Sequence, residues 1–293
     1  MAAIEEYVEA DDGARLWSVT SGSGPPLVLC HSRPGLWDDQ EPVAEMVGDL
    51  VTVHRWDQRG CRRSGGSGPY TVARFVADLE EIREHFGHAR WMVGGHSWGA
   101  TLALRYALAH PELGVALLYL FGTGTGTAWK EAYRAERESR LIDEQHRRRE
   151  ELRKHDRSEA EEREYRVLSW APDYADRERA FELATKEADG ARFPVNYECN
   201  AALNAETDAA DEADILAQCR TLDFPVLVVD GAGDPRPAWA LDSMAEALLH
   251  SERHALPDVG HMLWAESPQS LASILREFIG RVIACPLSEQ RRR

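Results

Sequence analysis

A serine stands between two glycines in Gly95-His96-Ser97-Trp98-Gly99, with an apolar run at 91–94 before it and a helix-spaced segment at 100–110 after it. A sharp strand-to-helix turn of this kind holds a serine in a strained conformation, and flanking glycines allow the backbones to approach closely. Ser97 Oγ would then stand exposed at the carboxyl end of a strand, placed to attack a carbonyl carbon. A serine hydroxyl is a weak nucleophile at neutral pH and requires a histidine base that is itself oriented by a carboxylate. In the chain order serine, acid, histidine, the run 225–229 leads into Asp230-Gly231-Ala232-Gly233-Asp234-Pro235, and Asp258-Val259-Gly260-His261 follows a short apolar stretch. Asp234 is the predicted acid and His261 the predicted base. Asp230 is the competing carboxylate, but it sits at the strand end before the turning Gly231, where it suits a loop cap. The other histidines read as surface or packing residues, although His31 and His96 lie beside the motifs.

A tetrahedral intermediate also needs backbone donors aimed at its oxyanion. The N–H of Trp98, at a helix N-terminus directly after the nucleophile, is one candidate. The loop His31-Ser32-Arg33-Pro34-Gly35 offers the second, for which the Arg33 N–H is favoured because Pro34 has none. The Arg33 side chain either places a positive charge near the pocket or, the favoured reading, turns outward to pair with Asp38 or Asp39.

Positioning these groups falls to buried strands read at 26–30, 51–56, 91–94, 115–121 and 225–229, alternating with helices at 72–86, 100–110, 239–249 and 271–283. That alternation predicts a largely parallel sheet in a doubly wound α/β architecture. Between about 124 and 214 the pattern breaks, and the composition turns to Glu, Arg, Lys and Ala with scattered aromatics. The expected organisation is a core in two parts, 1–123 and 215–293, with a helical cap at 124–214 inserted between them. Dense alternating charge over 129–170 suits helices bridged by opposite charges at helical spacing. Trp170, Phe193, Tyr197 and Trp264 are the predicted substrate-lining aromatics.

The formal charge of −16 disfavours nucleic acid and anionic membrane surfaces as partners and points to an uncharged or weakly charged small molecule. Five cysteines, Cys30, Cys61, Cys199, Cys219 and Cys285, show no paired close spacing of a zinc site or redox motif, so reduced, mostly buried thiols are expected, and no cluster of ligands with metal-binding spacing is present in the sequence. The first residues carry Glu5 and Glu6 in place of a basic stretch followed by an apolar one, which predicts a cytoplasmic protein.

In combination these motifs resemble those of proline iminopeptidases in the α/β-hydrolase superfamily. His31-Ser32-Arg33-Pro34-Gly35 resembles their His-Gly-Gly-Pro-Gly signature, and Asp57-Gln58-Arg59-Gly60-Cys61-Arg62-Arg63-Ser64 their Asp-Gln-Arg-Gly-x-Gly-x-Ser loop. Residues 94–111 are similar to their elbow and following helix, while Gly260-His261 and Glu266-Ser267-Pro268 match the wider superfamily. The resemblance implies an α/β-hydrolase fold, a mostly parallel sheet flanked by helices with a mostly helical cap. It also implies a serine hydrolase that uses Ser97, Asp234 and His261. Departures bear on the substrate: Ser32, Arg33 and Arg62 replace glycines, and His96 is an extra residue between the glycine pair and the serine. Family members hold a free substrate amine with cap carboxylates, one of them in an Ile-Glu-Asn-His-Tyr-Phe-like stretch. Here the nearest match, Phe193-Pro194-Val195-Asn196-Tyr197-Glu198, puts Pro194 where that glutamate would fall.

The expected activity is therefore cofactor-independent hydrolysis of a small ester, lactone or amide through an acyl-enzyme. The alternatives are an iminopeptidase with another cap carboxylate, Glu198 or Glu206, and a ligand-binding homologue that uses its triad little. Related epoxide hydrolases and dehalogenases carry aspartate at the nucleophile position, and Ser97 argues against both.

Overall fold

The structure is a computed structural model, and it describes residues 3–190 and 193–284. The described core strands are β1 (Ile4–Glu9), β2 (Arg15–Gly22), β3 (Pro26–Cys30), β4 (Thr52–Trp56), β5 (Trp91–His96), β6 (Gly114–Leu120), β7 (Val226–Gly231) and β8 (Ser251–Leu256). They form a single sheet in the order β1-β2-β4-β3-β5-β6-β7-β8. Only β2 runs against its neighbours; every pairing from β4 onward is parallel.

The core helices are α1 (Glu41–Val47), α2 (Val72–His85) and α3 (Trp98–Ala109). Between β6 and β7 come α4 (Trp129–Ser139), α5 (Asp143–Leu152), α6 (Glu159–Trp170), α7 (Ala180–Gly190), α8 (Tyr197–Ala209) and α9 (Glu212–Cys219). The chain closes with α10 (Asp242–Ala247), α11 (Leu263–Glu266) and α12 (Pro268–Ala284). Successive side chains of a strand point to opposite faces, so a strand covered on both sides must be apolar throughout. Val28, Val93, Leu117, Tyr119 and Val228 face α2 and α3, while Leu27, Leu29, Met92, Leu118 and Val229 face α1 and α12. Because these strands run parallel, the ends of β3, β5, β7 and β8, and the loops after them, lie at one edge of the sheet.

Several elements differ from the sequence reading. Residues 239–249 form a short 3₁₀ turn (Ala238–Leu241) followed by α10, and Leu248 is already extended. Strand β8 starts at Ser251, earlier than its apolar end suggests, because Glu252, Arg253 and His254 on an edge strand carry no hydrophobic alternation. Helix α9 runs across residue 214. The charged run 129–170 forms three helices linked by pairs such as Arg148 with Glu164 at 2.8 Å and Arg149 with Glu138 at 2.6 Å. A small apolar cluster fastens the inserted helices to the loops of the sheet edge: Trp170, Ala171, Tyr174 and Leu183 pack with Leu36 and Met262. Cys30, Cys61, Cys199 and Cys219 are buried free thiols, whereas Cys285 lies outside the described residues. Among the described residues no helix is long and apolar enough to cross a membrane.

One buried group makes stability pH-dependent. His54 on β4 stacks on Phe86 with ring centroids 4.1 Å apart, and its Nε2 lies 2.8 Å from His88 Nε2. Burial, and after it the charge of His88, pushes His54 down to about 4 from 6.5. Above pH 6.5 the ring is neutral whether the chain is folded or not. Below it the unfolded chain binds a proton that the folded chain refuses, so stability falls with pH until the folded value is reached. At pH 5 this single group should cost about 2 kcal/mol relative to neutral pH. Denaturant midpoints measured from pH 7.5 to pH 5 should therefore drop, and they should drop less steeply in His54→Gln. An equal slope in the variant would show that other groups carry the effect.

Candidate active site

Strand β5 ends at His96 and α3 begins at Trp98, leaving Ser97 alone to turn the chain. Its backbone lies at φ 56°, ψ −116°, a region that costs a non-glycine residue about 1–3 kcal/mol. The turn is held because Ser97 N–H donates to Leu120 O on the neighbouring strand at 2.9 Å. At Gly99 a Cβ would lie 2.1 Å from Cys30 O, so only glycine lets α3 approach the end of β3 so closely.

The loop after β3 is tied to this elbow through three side chains. His31 Nδ1–H donates to Ser32 O at 2.8 Å, and its Nε2 accepts from the Gln58 N–H at 3.0 Å. Gln58 returns its amide N–H to His31 O at 3.0 Å and accepts from the Trp98 indole N–H at 2.9 Å. Burial pushes His31 below its ordinary value, which keeps the ring neutral and able to accept at Nε2. The chain His31–Gln58–Trp98 thus sets the spacing between the loop bearing Arg33 and the N-terminus of α3, whose first N–H groups have no partner within the helix. Arg33 itself adopts φ 49°.

The two other triad candidates meet. His261 Nδ1 lies 2.6 Å from Asp234 Oδ2, with the imidazole 1% exposed. Asp234 Oδ1 accepts from the Arg236 backbone N–H at 2.8 Å and from its Nη1 at 3.1 Å. Burial alone would raise the Asp234 carboxyl, but the charges of His261 and Arg236 and these hydrogen bonds hold it below the usual carboxylate range. The competitor Asp230 points elsewhere, in a two-pronged pair with Arg253 at 2.8 and 3.0 Å. The His261 backbone is clamped on both sides: its N–H donates to Asp173 O at 2.7 Å, and its carbonyl accepts from His96 Nε2–H at 2.8 Å. His96, directly before Ser97, packs 4.6 Å from the His261 ring, and burial pushes it well below its ordinary value. His261 Nε2 is buried and hydrogen-bonds to no described residue, Ser97 included. Glu266 steadies the same loop by accepting from Gly260 N–H at 2.7 Å and from Ala175 N–H at 2.8 Å.

Beneath the inserted helices lies a cavity of about 650 Å³ whose walls include Ser97, Trp98, Arg33, Tyr133, Trp170 and Arg236. Trp170 lines it, and Tyr197 lies at its rim, 48% exposed, with its hydroxyl bound to Glu162. Phe193 and Trp264 correct the sequence reading, since neither faces the cavity. Phe193 lies under the Arg62 guanidinium at 3.9 Å and against Trp37, while Trp264 packs edge-on to His96 at 4.8 Å. Glu198 and Glu206 also lie off the cavity wall; Glu206 accepts from Val72 N–H at 2.8 Å, at the start of α2.

Arg33 brings a further correction, because its side chain turns inward. It pairs with Glu187 at 2.7 Å and Asp173 at 3.3 Å, and its guanidinium lies 4.6 Å from the Trp170 ring. The carboxylates expected to hold it are already engaged, Asp38 by Arg55 and Asp39 by Ser32 and Gln40. Asp173 bridges onward to Arg236 at 3.0 Å, so a buried ionic chain runs Asp234–Arg236–Asp173–Arg33–Glu187. Burial opposes the charge on Asp173, yet Arg236, His261 and Arg33 together hold it below the carboxylate range. Asp173 and Glu187 escaped the sequence reading because no motif marks them in the insertion. Arg236 carried a signal in its place two residues after the acid.

The family model for the alpha/beta hydrolase fold matches residues 25–268. Among curated proteins the chain is similar to a proline iminopeptidase of Neisseria gonorrhoeae, 36% identical over 114 residues that cover 36% of each chain. It is likewise similar to a probable proline iminopeptidase of Streptomyces coelicolor, 38% identical over 144 residues that cover 42% of each. The matched stretch thus spans roughly two fifths or less of those relatives' length. Among solved structures, a thermophilic esterase from Thermogutta terrifontis superposes with a TM-score of 0.72 at 21% identity, covering 96% of this chain and 99% of that one. A proline iminopeptidase from Mycobacterium smegmatis gives a TM-score of 0.69 at 18% identity, with coverage of 96% and 99%. With the family model matched over more than half its length, and with the sheet order and elbow described above, the chain belongs to the α/β-hydrolase fold family.

Proposed function

We propose that the protein is a serine hydrolase that cleaves a small ester, lactone or amide through an acyl-enzyme. The observation that carries this reading is the buried 2.6 Å contact between His261 and Asp234, which leaves His261 Nε2 unengaged on a loop pinned beside the Ser97 elbow. In this reading Ser97 Oγ adds to the substrate carbonyl while His261 Nε2 takes its proton, and the Arg33 and Trp98 N–H groups stabilise the oxyanion. His261 then gives that proton to the leaving alcohol or amine as its bond to the acyl carbon breaks. Water, deprotonated by the same nitrogen, next adds to the acyl carbon, and His261 returns that proton to Ser97 Oγ as the bond from the acyl carbon to Oγ breaks, which releases the acid and regenerates the enzyme. Asp234 keeps the Nδ1–H tautomer and stabilises the imidazolium. The inserted helices 124–214 act as the cap that closes the cavity above Ser97. Covalent labelling of the intact protein by a fluorophosphonate probe, lost in Ser97→Ala, is the direct test; a protein that never labels would be a binding homologue.

A second reading, hydrolysis of amino-terminal proline, is favoured by the curated relatives. It requires a carboxylate for the substrate ammonium, because a desolvated cation without a partner is costly. Neither Glu198 nor Glu206 lines the cavity, Pro194 stands outside it, and the carboxylates that do line it, Glu138, Glu150, Asp173 and Asp208, are each paired with an arginine or lysine. Short-chain esters or lactones are therefore expected to exceed proline arylamides at least tenfold in kcat/KM, about 1.4 kcal/mol of transition-state stabilisation. Ester reactivity contributes to that ratio, so the decisive control is N-acetyl-proline arylamide. Strong preference for the free amine over its acetylated form would replace the first reading with the second.

A further inference from the structure

Although the chain carries a net charge of −16, the cavity wall reverses the sign: eight arginine and lysine residues face four aspartates and glutamates. Those acids are spoken for. Asp173 lies between Arg33 and Arg236, Asp208 pairs with Lys130, Glu138 with Arg149 at 2.6 Å, and Glu150 with Arg153 at 3.1 Å. Two guanidinium groups on the inserted helices retain unused donors. Arg137 on α4 gives one N–H to Ser169 O at 3.1 Å, forms no ion pair among the described residues, and keeps a buried Nε–H without an acceptor. Arg149 on α5 is 7% exposed, and its Nη1 is likewise buried and unpartnered. A buried guanidinium N–H without an acceptor is costly, and an incoming anion could supply the acceptor that each of these groups lacks.

Their placement gives this charge a direction. Arg236, which holds Asp234, stacks 4.6 Å from the Tyr133 ring. Arg137 follows Tyr133 by one turn on the same face of α4, with its guanidinium 5.9 Å from that ring. Glu138 and Arg149 lie next along. Near Ser97, Arg33 and Arg236 are neutralised by Glu187, Asp173 and Asp234; on α4 Arg137 has no ion pair among the described residues, and Arg149 keeps a free donor beside its pair with Glu138. At about 650 Å³ the cavity is also larger than a short acyl group needs.

We propose that the cavity selects substrates bearing a carboxylate at the end remote from the scissile bond, held by Arg137 and Arg149. A planar carboxylate matches the forked donors of a guanidinium, which favours that anion. This inference rests on the serine-hydrolase reading for the position of the scissile bond. The overall negative charge of the chain and a positive recess are compatible, because the recess is lined by low-dielectric walls that focus its own field.

The test uses the mono-p-nitrophenyl esters of glutaric, adipic and suberic acids, each against the same compound with its free carboxyl methylated. The best half-ester is expected to exceed its methylated partner at least tenfold in kcat/KM, chiefly through KM, and the ratio should shrink as salt is added. Arg137→Gln and Arg149→Gln should each lower the ratio at least threefold, while Arg137→Lys retains more of it. Arg179→Gln, an exposed residue off the cavity wall, should leave it unchanged. A ratio near one at all three chain lengths, or a ratio untouched in both glutamine variants, overturns the proposal. Should those variants fail to fold, the wild-type protein decides: competitive inhibition by suberate and not by dimethyl suberate supports the proposal, and the reverse overturns it. Failure of the hydrolase reading shows differently, as ester turnover that survives Ser97→Ala. Calorimetric titration of that variant with suberate then tests the anion site alone, with absence of heat overturning it.

Discussion

Ser97→Ala is expected to lower kcat on an activated ester by about 10⁴- to 10⁶-fold and to abolish fluorophosphonate labelling. Without Oγ no acyl-enzyme can form, and whatever turnover remains comes from water attacking a substrate polarised by the oxyanion donors. The fold should be unaffected. Ser97 Oγ makes no hydrogen bond within the described protein, so its removal orphans no buried partner, and alanine inherits the φ 56° backbone with the same cost as serine. A thermal melt close to that of the wild type, together with the lost activity, is the result to look for. Undiminished labelling would mean that another nucleophile does the chemistry. His261→Ala should be comparably damaging, and the double variant little worse than either single one, because residues that act as a unit do not contribute additively.

For Asp234→Asn the expected loss in kcat is about 10⁴-fold, although the shape of the site is conserved. An asparagine oriented by the Arg236 contacts can present its NH₂ to His261 Nδ1. That favours the tautomer whose proton sits on Nε2, where it blocks acceptance of the serine proton. The carboxylate charge that stabilises the imidazolium is lost as well. Asp234 is held below the usual carboxylate range, so it remains ionised as pH falls through 5, and its contribution disappears only when pH passes down through that lowered value. Asp230→Asn is the matched control. Its pair with Arg253 lies away from His261, so it should cost about 1–2 kcal/mol of stability and change kcat less than tenfold. If Asp230→Asn proved the more damaging of the two in kcat, the acid would have been misassigned.

The elbow and the pairing partners around it were readable in one dimension because each obeys a local rule. Strand β5 must be apolar on both faces, the residue at the turn must tolerate positive φ, and Gly99 must leave room for Cys30 O; these demands leave a pattern a few residues long. Asp234 and His261 were legible for the same reason, as each follows a short strand and occupies a loop at the same sheet edge. The choice between Asp234 and Asp230 rested on loop position, and the geometry of Arg253 gives it a physical basis. Less of β8 was visible, because an edge strand exposed on one side carries charged residues that hide its alternation.

The insertion was legible only as helices. Along 129–170 Leu141, Leu152, Leu168 and Trp170 mark part of the buried side, but the charges are so dense that nothing in the sequence distinguishes Arg148, which meets Glu164 near the surface, from Arg149, which is buried against the cavity. That difference arises when α4, α5 and α6 pack on the sheet edge, a decision made by contacts between residues far apart in the chain. The inward turn of the Arg33 side chain has the same origin: Glu187 is 154 residues away, and Asp38 and Asp39, the partners nearby in sequence, are taken by Arg55, Ser32 and Gln40. By itself the sequence determined the serine elbow, the loops that carry Asp234 and His261 and the layers that hold them, because turn geometry and strand burial act over a few residues. Only the tertiary structure decided which charges face the cavity, because desolvation and pairing depend on neighbours that chain order does not name.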